Sequence, residues 1–267
     1  MFGAIIGDII GSRFELNNIH SKEFELFGDG CHFTDDSVMT LAIAKAVLDV
    51  RNGPEPSSPK LLSDAATKYM RSFGRAYIDA GYGERFKEWI LSDDMGPYGS
   101  IGNGAAMRIS PVGYAFARSV DLFVYAKAVT CVTHNTPHAL RGASAVCHAI
   151  SLALQKEHPE KIREVISLNY YPLWNTMENY INGYIGDTTC DSTVPVALTA
   201  FLEAKDFEDA IRNAVAVGGD SDTIAAITGS IAGAYFEIPQ DLKIKAFSYL
   251  PPQLLGICEE WDRFMLF

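Results

Sequence analysis

The sequence predicts an all-α protein. Two observations carry that expectation: apolar residues recur at i, i+3 and i+4 in several long segments, and no convincing run of alternating apolar and polar residues is present. With 267 residues, 48% of them hydrophobic and 21% charged, the chain is long enough to bury a substantial core.

Taking the elements in order, Val38, Leu41, Ala42, Lys45 and Leu48 fall on one helical face. Further helices are expected over residues 61–73, 83–91, 105–117, 120–132, 137–155, 193–204 and 207–217. A final one is marked by Ile224, Ile227, Ile231 and Tyr235. The Pro-, Ser- and Gly-rich stretch 52–59 reads as the clearest loop, followed by 93–103. The polar stretch 169–191, rich in Tyr, Asn and Gly, reads as an irregular surface excursion of the kind that carries ligand contacts. Composition does not shift along the chain, so residues 1–267 are expected to form one domain. Trp261, Phe264 and Phe267 are expected as an aromatic tail free to dock on the chain's own core or on a second copy, and no oligomeric state is read.

Lys and Arg number 22 against 33 Asp and Glu, a net charge of −11. That balance repels phosphate backbones and anionic membranes, so nucleic acid is not expected as a partner. The opening MFGAIIGDII has no basic flank and is followed closely by Arg13, and the longest apolar run, 224–236, is too short to span a bilayer. No signal peptide or membrane anchor is expected. Five scattered cysteines without a CxxC pair argue against a disulfide framework and a zinc site, and fit a reducing cytoplasm.

Two acidic clusters are the candidates for chemistry. Phe33-Thr34-Asp35-Asp36-Ser37 precedes one helix, and Gly218-Gly219-Asp220-Ser221-Asp222-Thr223 precedes another. Each alone reads as helix capping, because acids accept the free N–H groups of a first turn. Together they read differently: four carboxylates brought near one another repel, and a hard divalent cation relieves the repulsion. Oxygen donors, without Cys or His in either cluster, favour magnesium, manganese or calcium. Small residues Ala225, Ala226, Gly229, Ala232 and Gly233 would let their helix approach its neighbours closely enough to bring Asp220 near Asp35.

The loop Tyr98-Gly99-Ser100-Ile101-Gly102-Asn103-Gly104-Ala105 leads into a helix whose free N–H groups suit a phosphate, or is a plain helix entry. It matches neither the Walker nor the Rossmann pattern. His134 and His138 are spaced i, i+4 but Pro137 intervenes and no zincin glutamate follows, so zinc ligation by the pair is not expected and His134 by itself reads first as a satisfied structural histidine.

Taken in order, Gly3-Ala4-Ile5-Ile6-Gly7-Asp8 with Glu15, FTDDS, GNGAAMR, THNTPHA and VGGDSDT resemble the ADP-ribosylglycohydrolase family, including the dinitrogenase reductase-activating branch. The resemblance runs from Gly3 to Tyr235. It implies a compact orthogonal multi-helix bundle with a central metal cleft, holding two Mg2+ or Mn2+ ions and cleaving the glycosidic bond between ADP-ribose and an acceptor. The metal ligands it implies are Thr34, Asp35, Asp36, Asp220, Asp222 and Thr223.

For catalysis it implies Asp36, Glu15 and Asp79, the last read equally as a turn aspartate. Asp8 is read as structural. Ser100, Gly102, Asn103 and Gly104 would line the diphosphate and ribose, with His134 and Tyr184 beside them. Two ions can hold the ribose 2′ and 3′ hydroxyls while a carboxylate steers water onto an oxocarbenium-like centre. The implied partner is an ADP-ribosylated protein or a small ADP-ribose conjugate. Two other readings stay open: an ADP-ribose sensor that keeps the metal pocket without turnover, and a metal-stabilised structural protein.

Overall fold

Residues 1–266 are described by a computed structural model. The expected helical class holds, with fifteen α-helices and one isolated bridge, Gly102 to Thr189, among the described residues. They are α1 Phe2–Gly11, α2 Asp35–Arg51, α3 Pro59–Ala76, α4 Glu84–Leu91, α5 Gly104–Met107, α6 Ser110–Ala115, α7 Leu122–Thr130, α8 Pro137–Leu154, α9 Pro159–Asn169, α10 Met177–Gly183, α11 Cys190–Leu202, α12 Phe207–Ala216, α13 Ser221–Tyr235, α14 Gln240–Phe247 and α15 Pro252–Met265. No helix of the described residues is long and apolar enough to cross a membrane.

Three departures from the sequence reading have local causes. The expected helix 105–117 is two, α5 and α6, because Pro111 lacks the N–H a continuous helix needs and sits instead in the first turn of α6. The stretch 169–191 contains α10, opened by a capping box between Thr176 and Asn179. Helix α1 shows no amphipathic stripe in sequence because every residue from Gly3 to Gly11 is buried. Of the aromatic tail, Trp261 on α15 is 1% exposed, as docking on the chain's own core requires, with Phe264 packed on its ring, while Phe267 lies outside the described residues.

The contact that positions the site is the antiparallel pair α1 and α13. Gly3, Gly7 and Gly11 recur every four residues on one face of α1. They meet Gly229, Ala225 and Ser221, which recur every four residues on α13. A methyl group added at Gly3 would lie 2.0 Å from the Gly229 carbonyl oxygen, and one at Gly7 2.0 Å from that of Ala225. The backbones touch because these side chains are missing. This seam brings the end of α1, with Glu15 just beyond it, against the start of α13, where Asp220 and Asp222 stand. The expected role of Ala225 and Gly229 in a close approach is thus seen, although α13 is followed by two further helices.

Candidate active site

The first acidic cluster is held from below by Asp8, which is 0% exposed. Its carboxylate accepts from Thr34 N at 3.0 Å, Thr34 Oγ1 at 2.7 Å and Ser37 N at 3.1 Å, and from the Ser37 hydroxyl. Thr34, not either aspartate, caps α2: its Oγ1 accepts from Asp36 N at 3.3 Å. Asp35 and Asp36 are therefore released from the capping role, and both line a cleft of about 750 Å³. Asp220 occupies the cap position of α13 but makes no side-chain capping bond.

The two clusters meet. Thr223 Oγ1 donates to Asp36 Oδ2 at 3.1 Å, and one oxygen each of Glu15, Asp220 and Asp222 lie within 4.8 Å of one another. Asp36 Oδ1 is buried without a hydrogen-bond partner. Burial raises the pKa of Asp36, and the charges of Asp222, Asp8, Asp35 and Asp220 raise it further. Asp35 is pushed up to about 8, first by burial and then by Asp8 and Asp220. Burial likewise lifts Asp222 and Glu15, each with Asp220 as the next cause. Carboxylates gathered this closely, one with an orphaned oxygen, have the donor chemistry of a hard divalent cation site.

Asp35 N donates to Ala80 O at 2.7 Å, which ties the turn containing Asp79 to the head of α2. Asp79 is exposed and lines the cleft. Gly81 turns there with φ +110, a conformation that favours glycine.

The glycine-rich loop forms another part of the wall. Ser100 Oγ accepts from Gly102 N at 3.1 Å, Asn103 N donates to Thr188 O at 2.8 Å, and Thr136 Oγ1 donates to Ser100 O at 2.9 Å. The helix it enters, α5, has four residues, so the expected helix-end attraction for phosphate reduces to the loop's own N–H groups.

Thirteen of the fourteen sequence-derived positions line this one cleft: Glu15, Thr34, Asp35, Asp36, Asp79, Ser100, Gly102, Asn103, Gly104, His134, Asp220, Asp222 and Thr223. Asn103 directs its amide to Asp220 Oδ2 at 2.6 Å and Thr193 Oγ1 at 3.0 Å. Tyr184 is the exception. It does not line the cleft; its hydroxyl pairs with Ser192 Oγ at 3.0 Å and its ring packs on Gly219. His138, spaced i, i+4 from His134, pairs with Asp191 at 2.5 Å.

The sequence reading assigned no role to His32, Arg85, Phe86, Tyr98 and Arg108, all of which line the cleft. Arg85 stacks over the Tyr98 ring at 4.9 Å. Tyr98 and Arg108 stand at the two ends of motifs already singled out, which was their only signal.

The family model for ADP-ribosylglycohydrolase matches residues 1–261. The chain belongs to the ADP-ribosylglycohydrolase family. The chain is 25% identical to ADP-ribosylhydrolase ARH3 of Xenopus tropicalis, over 93% of this chain and 90% of that protein. It is 27% identical to the ADP-ribosyl-[dinitrogen reductase] glycohydrolase of Rhodospirillum rubrum, over 88% of this chain and 84% of that one. Among solved structures, an ADP-ribosylglycohydrolase-related protein complex shares the fold with a TM-score of 0.67 at 23% identity, covering 99% of this chain and 97% of that chain.

Proposed function

We propose that this protein is a divalent-cation-dependent hydrolase that cleaves the glycosidic bond between ADP-ribose and an acceptor, either a protein side chain such as arginine or a small conjugate. Hydrolase activity is supported by family membership and by relatives named for it. The single observation that carries the finer reading is the convergence of Glu15, Asp220 and Asp222 within 4.8 Å beside Asp36, whose buried Oδ1 has no partner.

Thr34, Asp35, Asp36, Asp220, Asp222 and Thr223 would hold two magnesium or manganese ions. Such ions supply positive charge that fixes vicinal ribose hydroxyls and steadies the developing transition state. The chain's own residues do the rest. Asp8 and the α1/α13 seam fix the acids before substrate arrives. Asn103 holds Asp220 in place through its amide.

Glu15 and Asp79, both exposed in the cleft, are the carboxylates with access to water and to the leaving group. One steers water onto the anomeric carbon; the bond to the acceptor breaks, and the proton lost by water is balanced by the one the acceptor gains. The five cysteines, all free thiols, support work in a reducing compartment, and we read the whole chain as one domain.

The test is release of ADP-ribose from arginine-ADP-ribosylated protein, with and without magnesium or manganese, beside an Asp220→Asn control. Metal-dependent release that the control lacks supports the reading. No release from arginine, serine or O-acetyl conjugates, with ADP-ribose still bound, would replace it with the sensor reading.

A further inference from the structure

The cleft wall also includes a buried cation that forms no salt bridge among the described residues, although the charge of Asp35 reaches it. Arg108 is 1% exposed and forms no ion pair among the described residues, and its Nε has no partner. Its Nη2 donates to Thr133 Oγ1 at 2.7 Å and lies 3.4 Å from His134 Nδ1. Thr133 Oγ1 is itself 2.7 Å from His134 Nδ1.

Counting protons decides the direction of this chain. A guanidinium only donates, so Thr133 Oγ1 accepts from Arg108 and its own proton goes to Nδ1. The reverse arrangement would set an Nδ1–H against Nη2, donor facing donor, and would leave the buried Thr133 hydroxyl with two donors and its own proton unplaced. Nδ1 is therefore the acceptor, and the ring's single proton sits on Nε2. Burial and the charge of Arg108 both lower the His134 pKa, in keeping with a neutral ring. Nε2 lies 3.5 Å from the place a Gly104 Cβ would take and 3.7 Å from that of Gly102, so the two glycines leave the N–H open to the cleft.

We propose that Arg108 and Thr133 are positioning residues that hold His134, which the family resemblance already places beside the diphosphate and ribose, as the neutral Nε2–H tautomer with that N–H facing the cleft. Histidine in this role is neither base nor metal ligand. The cleft then has two poles, acids for cations and a buried Arg108 for an anion, which suits a ligand joining a polyol to a diphosphate. The identity of that ligand rests on the ADP-ribose reading above; the direction of the proton chain does not.

The experiment uses the full chain labelled with 15N. Long-range 1H–15N correlations of the His134 ring in the free protein should show protonated Nε2 and bare Nδ1, and in Thr133→Val a mixture of tautomers. ADP-ribose affinity by calorimetry should fall about tenfold in Thr133→Val and in His134→Phe, the loss expected for one hydrogen bond to a charged oxygen. His134→Gln, which keeps a side-chain N–H, should retain most of it. A proton on Nδ1 in the wild type, or ADP-ribose affinity unchanged in both Thr133→Val and His134→Phe, overturns the proposal. If the wild type fails to bind ADP-ribose at all, the ligand reading falls, while the ring's proton still decides the relay.

Discussion

Thr223 Oγ1 donates a 3.1 Å hydrogen bond to Asp36 Oδ2 across 187 residues of sequence, joining the first turns of α2 and α13. Around that bond, buried carboxylates accumulate with no basic partner among the described residues, and the first two consequences below follow from their crowding.

Asp36→Asn removes one charge from the crowd while keeping the side chain's shape. Without divalent cations the variant should melt higher than the wild type, because like-charge repulsion is relieved. With manganese it should show little of the stabilisation the wild type gains, and hydrolysis should fall by about 100-fold or more. Paired melting curves with EDTA and with manganese, beside an activity assay, check both; a variant that melts lower in EDTA would contradict the crowding account.

The pH dependence has a definite sign. Asp35, Asp36, Asp222 and Glu15 all have folded-state pKa values raised above their unfolded ones, so the folded protein binds more protons and its stability falls as pH rises through those values. For Asp35 that fall extends from its ordinary 3.8 to about 8. His134, lowered from its ordinary 6.5, acts in the opposite sense, but its contribution is complete above that value. Between about pH 7 and 8, then, the metal-free protein should lose stability, and saturating magnesium should flatten the curve. Urea titrations across this range, with and without magnesium, measure it.

Gly7→Ala tests the seam. The added methyl would meet the Ala225 carbonyl oxygen at 2.0 Å, so α1 and α13 must separate. A cost of about 3 kcal/mol or more is expected, together with weaker manganese binding as Glu15 and Asp220 move apart. Gly96→Ala, in a loop with nothing within 4 Å of the added methyl, should be near neutral in the same denaturation experiment.

Asp8→Asn replaces a charged acceptor of four hydrogen bonds with a group that turns an NH2 toward donors from Thr34 or Ser37. A loss of about 2–4 kcal/mol is expected, with manganese affinity falling in parallel because the head of α2 is no longer held. Calorimetric titration of manganese into a folded sample at low temperature separates the two effects.

Much of the molecule was legible from its residues. Helical periodicity in segments such as 38–48 and 137–155 reports which face is buried, and that is a local property of the chain. It failed where burial is complete, as in α1, since a helix enclosed on every side carries no stripe to read. It also missed the break before α6, where Pro111 interrupts an otherwise apolar run.

The sequence by itself determined the helical class, the order of the acidic and glycine-rich motifs and, through them, the family. Those are properties of neighbours along the chain. Only the tertiary structure decided that Thr34 frees Asp35 and Asp36 from capping, that Asp36 meets Thr223, that Tyr184 turns to Ser192 and Gly219, and that Arg108 lies buried behind His134. Of these, the meeting of Asp36 with Thr223 depends on how closely distant helices approach. That approach is set by backbone contact along Gly3, Gly7 and Gly11 against α13, a contact made by the side chains these residues lack.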